Sequence, residues 1–383
     1  MVPKLRFKEF CGEWEEKKVE NLCKIHTGKS NTQDKVEDGI YPFFVRSPII
    51  ERSNKYLYDC EAVLTVGDGV GTGKVYHYIN GKFDCHQRVY VMRNFKDING
   101  KYFYYYFSNN FYKRVQKMSA RNSVDSVRMD MISKMNIALP SLSEQTKIAD
   151  FLSTVDDKIK NQQDKITHLE NIKKGFMQKI FSRKIRFKDD GGEEFPEWEE
   201  KKLGDIANIY DGTHQTPNYV SSGIPFVSVE NIKDLYKTKK YIELEAFKRE
   251  FKIYPQKNDI LMTRIGDIGT PCIVKKNDKI AYYVSLALIK INKNNKVISN
   301  FLLQYIKNSE FQRELWKRTL HIAFPKKINK SEISKCLIYL PCLKEQQKIA
   351  DFLSSFDEKI STEKEILEHL KRLKKGLLQQ MFV

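Results

Sequence analysis

Three kinds of loop in this sequence could recognise a polyanion, and none has the spacing of a catalytic site. The first kind is glycine-rich. GDGVGTGK at 67–74 invites a phosphate-cradle reading, because small residues let backbone N–H groups close on an anion. The spacing denies it. A P-loop needs Gly five residues before its Gly-Lys pair, where Asp68 stands, and Val75 replaces the Ser or Thr that would hold magnesium. The run joins two strand candidates, so it is expected as a hairpin loop whose backbone can approach DNA. RIGDIGTP at 264–271 occupies the equivalent place further on.

The second kind is polar. YDGTHQTPNYVSSG at 210–223 supplies Thr213, His214, Gln215, Thr216 and Asn218, which can bond base edges or phosphates. The third kind is basic. MSARNSVDSVR at 118–128 carries Arg121, Asn122 and Arg128, and KRTLHIAFPKK at 317–327 carries Arg318, His321, Lys326 and Lys327. Arg46, Lys74, Arg88 and Arg264, in or beside strand candidates, complete the set of expected DNA contacts. For each of them a solvated surface position is the alternative.

Catalytic patterns are missing. There is no GxSxG nucleophile motif, no HExxH zinc motif and no Asn/Asp-Pro-Pro-Tyr/Phe tetrapeptide of amino-group methyltransferases. The histidines are dispersed, with His168 and His369 at equivalent places in a repeat, which favours a structural or interface role. Seven cysteines (11, 23, 60, 85, 272, 336 and 342) form no CxxC pair, so neither a disulfide framework nor a zinc site is expected. They read as buried thiols of a protein in reducing cytosol. The start, MVPKLRFKEF, lacks a signal-peptide core, and no apolar run nears the eighteen residues of a membrane span.

What positions these loops is a duplicated frame. LPSLSEQTKIADFLSTVDDKI from Leu139 returns as LPCLKEQQKIADFLSSFDEKI from Leu340, and IKKGFMQKIF at 172–181 returns as LKKGLLQQMF at 373–382. RFKEFCGEWEEKK at 6–18 returns as RFKDDGGEEFPEWEEKK at 186–202. Between these flanks lie two inserts without visible resemblance. Each repeat carries an apolar seam in steps of four and three: Ile148, Leu152, Val155, Ile159, Ile166 and Leu169, matched by Ile349, Leu353, Phe356, Ile360, Leu367 and Leu370. Phe176 and Ile180 extend the first seam, Leu377 and Met381 the second. That is the mark of a coiled coil, and two such seams in one chain predict an antiparallel pair about 50 Å long. Polar residues interrupt both seams at Gln162 and Glu363 and at Lys173 and Lys374, where Ile172 and Leu373 are expected to carry the packing. Ser141 with Glu144 reads as a capping box, weakened in the second copy by Cys342.

The inserts read as mixed α and β. Strands are expected at 41–47, 61–67, 74–79 and 88–93, then at 224–232, 259–266, 272–276 and 282–291. Helices are expected over 101–118, with an aromatic core face, and around 300–318. The fold class is therefore α+β: two mixed α/β domains separated by an antiparallel coiled coil of two long helices, in a pseudo-twofold duplicated chain. The expected domains are 1–140, 141–183, 184–340 and 341–383. The formal net charge of +18 calls for an acidic partner, for which nucleic acid is the usual explanation and a solvated basic surface the alternative.

This arrangement resembles the specificity (S) subunit of type I restriction–modification systems, and the resemblance covers essentially the whole chain. It is carried by the two Leu-Pro-x-Leu-x-Glu-Gln-x-x-Ile-Ala-x-x-Leu starts, the WEEKK segments, YDGTHQTP and NDILMTRIGDIG. The leader before the first recognition domain is shorter than the family pattern. The resemblance implies that the two mixed α/β domains are target-recognition domains, each reading one half of a bipartite, asymmetric DNA sequence while the coiled coil sets the spacing. It implies two modification (methyltransferase) subunits that bind S-adenosylmethionine and flip out adenine. It also implies restriction subunits using ATP and magnesium, with no cofactor in this chain and no catalysis of its own. Half-site centres about 34 Å apart, one helical turn of DNA, are expected. A stand-alone DNA-binding regulator and a coiled-coil protein-interaction adaptor are the alternatives. The first has no helix-turn-helix pattern in its favour, and the second is at odds with the charge.

Overall fold

Two segments reading EEKK open the two halves of the fold, and each pairs with the strand that ends its half. In the computed structural model, which describes residues 2–69, 71–118 and 126–382, Glu15–Lys18 runs antiparallel to Asn136–Leu139. Glu199–Lys202 pairs in the same way with Leu337–Leu340. Each two-stranded clasp brings the two ends of an insert together immediately before the Leu-Pro that starts a long helix. The repeat is thus explained locally, because the duplicated residues make the clasp and the long helix after it, and the divergent residues lie between. The opening clasp strands, four residues that are all charged, carry no apolar alternation by which to be read as strands.

The chain divides into two units, 2–164 with 364–382 and 165–363. In the first, six strands are ordered Lys24–Thr27, Val89–Arg93, Tyr58–Val66, Tyr76–Cys85, Tyr41–Phe44, Ile50–Ser53. All neighbours are antiparallel except Tyr41–Phe44 beside Tyr76–Cys85. The helix Gly100–Met118 buries Tyr102, Phe103, Tyr105, Tyr106, Phe107 and Phe111 against this sheet and the clasp. The glycine run 67–74 connects the antiparallel strands Tyr58–Val66 and Tyr76–Cys85, as a hairpin loop should.

In the second unit a four-stranded antiparallel sheet is ordered Ala207–Asp211, Leu286–Ile291, Ile260–Thr263, Pro271–Ile273. A smaller sheet joins Tyr241–Ile242, Ile224–Val227 and Ala281–Tyr282. The helix expected around 300–318 is two, Ser299–Lys307 and Ser309–Lys317. Asn308 breaks it, because its side chain accepts the N–H groups of Glu310 and Phe311 and caps a new helix.

The long helices are Leu142–Phe181 and Leu343–Met381, and each contributes its two ends to different units. In the first unit Ile148, Ala149 and Leu152, at the start of the first long helix, share a core with Met381 and Phe382 at the close of the second. In the second unit Ile349, Ala350 and Leu353 share a core with Met177, Ile180 and Phe181. Partners descend in number as the helix ascends: Lys165 with Glu363, Lys173 with Asp357, Phe176 with Phe352. The two helices therefore pair antiparallel within the unit. Leu373 is exposed and Ile172 only half-buried, contrary to the expectation that they carry the seam. Lys173 and Lys374 turn inward instead, because a carboxylate meets each. Lys173 Nζ donates to Asp357 (2.6 Å) and to Gln304 (3.0 Å). Lys374 pairs with Asp156, which also accepts from the Tyr105 hydroxyl at 2.8 Å. His168 and His369 both face solvent.

Two further residues of the repeated motif are explained by partners far away in sequence. Glu144 is buried and accepts two hydrogen bonds from Arg6, each 2.8 Å. Glu345 is buried and accepts from Arg186 at 3.2 and 2.9 Å and from Trp198 Nε1 at 3.0 Å. The backbone N–H of Glu144 does bond Ser141 Oγ (3.3 Å), but its carboxylate serves Arg6 rather than closing a capping box. The neighbouring Gln145 accepts from the Asn99 N–H and donates to the Pro140 carbonyl. Gln346 does the same with Ile298 and Pro341.

Removing one partner of a buried pair strands the other charge. Arg186→Met should therefore cost about 3–5 kcal/mol in denaturant unfolding of the full chain, and a loss below about 1 kcal/mol would contradict this role. Asp357 gives a pH signature. Burial opposes its ionisation, but Lys307 and the hydrogen bonds from Lys173 and Gln304 outweigh that and hold the carboxyl below the usual carboxylate range. Its stabilising contribution is present above the unfolded value of about 4 and is lost as pH falls through the lower folded value. Asp357→Asn should therefore be less stable than wild type at pH 7, with the gap closing in acid; a gap independent of pH would contradict it.

Candidate nucleic-acid interface

In each unit the strand after the clasp ends on a glycine that touches the next loop. A Cβ on Gly28 would run into the Cys85 carbonyl, and one on Gly212 into that of Tyr282. Only glycine lets these chains come so close. From there an equivalent set of main-chain hydrogen bonds links four loops in each unit. The Gln87 N–H donates to Ser30 O and the Val284 N–H to Thr213 O, both at 2.9 Å. Gly67 donates to Arg88 O at 2.8 Å, as Arg264 does to Ser285 O at 2.9 Å. Val127 donates to Gly67 O at 2.7 Å, as Ile328 does to Arg264 O at 3.0 Å. The backbone platform is common to both units. The side chains it presents are not: Gln87 and Arg88 stand where Val284 and Ser285 stand, and Gly67 and Asp68 where Arg264 and Ile265 stand.

In the first unit the platform brings together Arg46, Arg88 and the glycine loop. Asp68 lies between the two guanidinium groups, 3.5 Å from Arg46 and 3.6 Å from Arg88. Both arginines remain largely exposed, so Asp68 orients them without removing them from solvent. Burial, then the positive charge of Arg46, pushes His86 below the usual histidine range, and its Nδ1 accepts the Arg88 N–H at 3.0 Å. Lys74 is exposed, with its ammonium 5.1 Å from the centre of the Tyr112 ring. Arg128 is exposed just before the short helix Met129–Ser133. Arg121 and Asn122 lie outside the described residues.

In the second unit Arg264 is not a surface group. Its side chain is 8% exposed; it donates to the Ile328 carbonyl at 3.0 Å and pairs with Asp211, which also lies 3.7 Å from Lys330. Arg264 thereby ties together the polar loop after Asp211, the glycine loop and the basic turn before Ile328. Facing inward, it positions the interface rather than reaching from it, contrary to its expected role as a contact. Arg318 is likewise drawn in, between Glu314 (3.3 Å) and Glu332 (3.5 Å). His214, Gln215, Thr216 and Asn218 are exposed, and Thr213 half-exposed. His321 is exposed and rests on Trp316, with ring centres 4.6 Å apart. Lys326 and Lys327 are exposed, and among the described residues neither has an ion-pair partner.

Sequence reasoning missed Lys29, Asn31 and Gln87 in the first unit. Lys29 is exposed, and Gln87 Nε2 donates to Asn31 Oδ1 at 2.7 Å. A signal was there, since Gly28 follows Trp14 by fourteen residues just as Gly212 follows Trp198. The arrangement offers amide and guanidinium groups suited to base edges, with lysines suited to phosphates. Among the described residues no group of three or more His, Cys, Asp or Glu side chains is placed to hold a metal ion. No described helix is long and apolar enough to cross a membrane.

The sequence matches the family described as the type I restriction modification DNA specificity domain twice, over 12–171 and 196–372. It is 25% identical over 403 residues to the type I restriction enzyme MjaVIII specificity subunit of Methanocaldococcus jannaschii, covering 97% of this chain and 94% of that one. It is 29% identical over 170 residues to the EcoDI specificity subunit of Escherichia coli, covering 44% of this chain and 37% of that one. In fold it is similar to the crystal structure of a type I restriction–modification system S subunit from M. genitalium. That likeness has a TM-score of 0.66 at 17% identity, over 100% of this chain and 99% of the other.

If Arg264 is the internal tie, Arg264→Met should lower the unfolding free energy by about 3 kcal/mol or more. Arg88→Ala, on the equivalent platform of the first unit but exposed, should stay within about 0.5 kcal/mol of wild type. Equal effects in chemical denaturation would contradict the distinction.

Proposed function

The chain belongs to the type I restriction–modification DNA specificity family, and on that premise we propose that it is the specificity subunit of such a complex. Each unit reads one half of a bipartite, asymmetric duplex target. One observation carries the reading: an equivalent main-chain platform in the two units presents different side chains at several positions, Gln87 and Arg88 against Val284 and Ser285 among them. A fixed platform places loops at a groove, and different side chains on it select different bases. The charge of +18 supplies the sequence-independent part of binding.

In the first unit Arg46, Arg88, Gln87 and Asn31 are the base-edge candidates, with Lys29, Lys74 and Arg128 on phosphates. In the second, His214, Gln215, Thr216 and Asn218 are the base-edge candidates, with Lys326 and Lys327 on phosphates. The recognition domains are residues 1–140 and 184–340, and the paired long helices set the gap between the half-sites. Chemistry belongs to partners: two modification subunits with S-adenosylmethionine methylate adenine, and restriction subunits with ATP and magnesium cleave unmodified DNA.

The test is co-expression with the cognate modification subunit, followed by long-read mapping of methylated adenines. The expected result is a split motif of two unlike half-sites around a fixed gap. A complex shown to assemble that adds no methylation would contradict the reading and favour a regulator or an adaptor.

A further inference from the structure

The turn 320–327 of the second unit carries two large apolar side chains that are fully exposed. Its stems are fixed, because Leu320 donates to the Lys327 carbonyl and Gly266 to that of Lys326, both at 2.8 Å. Between the stems, Ile322 and Phe324 are as exposed as in an extended peptide, at 102% and 104%. Trp316, with its ring against that of His321, stands exposed in the same turn region. Apolar groups presented this way forfeit the burial they could have and mark a surface that something else covers.

The surroundings say what covers it. Residues 317–330 contain five Lys or Arg and no Asp or Glu. Lys326 and Lys327, at the base of the tip, have no ion-pair partner among the described residues. The stems are hydrogen-bonded to the glycine loop that Arg264 ties to the polar loop after Asp211. An apolar tip with two exposed lysines at its base, Lys326 and Lys327, on the platform read as facing DNA, has the composition of a wedge. The lysines meet phosphates while the apolar group enters the stack.

We propose that Ile322 and Phe324 insert between adjacent base pairs of the half-site read by the second unit, unstacking one step and kinking the duplex there. This rests on the reading of that unit as a reader of duplex DNA. Specificity then comes in part from how easily the step deforms, at a place where no hydrogen bond reads the bases.

The experiment uses the full chain assembled with its modification subunits, and duplexes carrying the mapped target. A fluorescent base analogue is placed in turn at each position of the half-site other than the methylated adenine, and end-to-end energy transfer reports bending. For wild type, emission should rise at one step and the duplex ends should approach. For the Ile322→Ala, Phe324→Ala double variant both signals should vanish, and target affinity should fall about tenfold or more. Affinity for random-sequence DNA, its salt dependence, the melting temperature and the subunit stoichiometry should not change, since these side chains are fully exposed. Wild-type emission, bending and affinity in the variant would overturn the wedge. So would loss of the modification subunits from the variant complex, which would make the tip a protein-docking element. A wild-type complex with no preference for its target over random DNA would overturn the underlying reading, and the wedge with it.

Discussion

A buried carboxylate lies in the first turn of each long helix, and the rest of each unit is arranged around it. Glu144 and Glu345 occupy positions where a helix terminus favours negative charge, yet each needs a cation because it is shut away from water. The cation comes from the leader: Arg6 in one unit, Arg186 in the other. Each arginine also donates to leader carbonyls, Arg6 to those of Cys11 and Gly12, Arg186 to those of Phe195 and Pro196, so the leader is folded around the guanidinium. The leader runs straight into the clasp strand. The following glutamine reaches the residue just before the recognition-domain helix, Asn99 or Ile298. Leader, clasp, domain helix and long helix therefore meet at one Glu-Gln dipeptide. One difference remains between the copies. Trp198 donates to Glu345, whereas the indole nitrogen of Trp14 is buried without a partner among the described residues.

From this junction the two functions of the sequence separate. The clasp and the junction require particular residues, since a buried ion pair tolerates no change in one partner alone. The loops at the far ends of the sheets require only a main-chain platform, with glycine at the point of closest approach. That division explains why the chain repeats some segments and not others. Residues that bond the frame are duplicated, and the exposed residues that stand on the platform differ because, Arg264 apart, little inside the protein holds them. Lys173 with Asp357, and Lys374 with Asp156, belong to the frame, since they set the register of the paired helices where an apolar seam would allow slippage.

The fold was legible where periodicity is strong. The long helices, the aromatic helix from Gly100 and most strands follow from spacing alone. The clasp was not, because four-residue strands rich in Glu and Lys carry no alternation. The inward lysines were not, because a heptad reading counts a charge as a gap and cannot see the carboxylate on the other helix. The candidate interface was outlined by composition, but which of its residues face inward was not. Arg264 looked like a contact because arginine beside a glycine loop usually is one, and its pairing with Asp211 depends on a fold that brings together residues far apart in sequence. Lys29 and Asn31 escaped because HTGKSN is short and ordinary, and only its distance from the tryptophan marks it.

The separation of frame from reader is tested most directly by hydrogen exchange on the full chain with its modification subunits, with and without target DNA. The account predicts slower exchange on DNA binding at residues 28–31, 67–74, 86–88, 212–218, 264–269 and 317–328. It predicts no change at 142–150 and 343–350. Protection of those helix starts, with the loops unchanged, would contradict it.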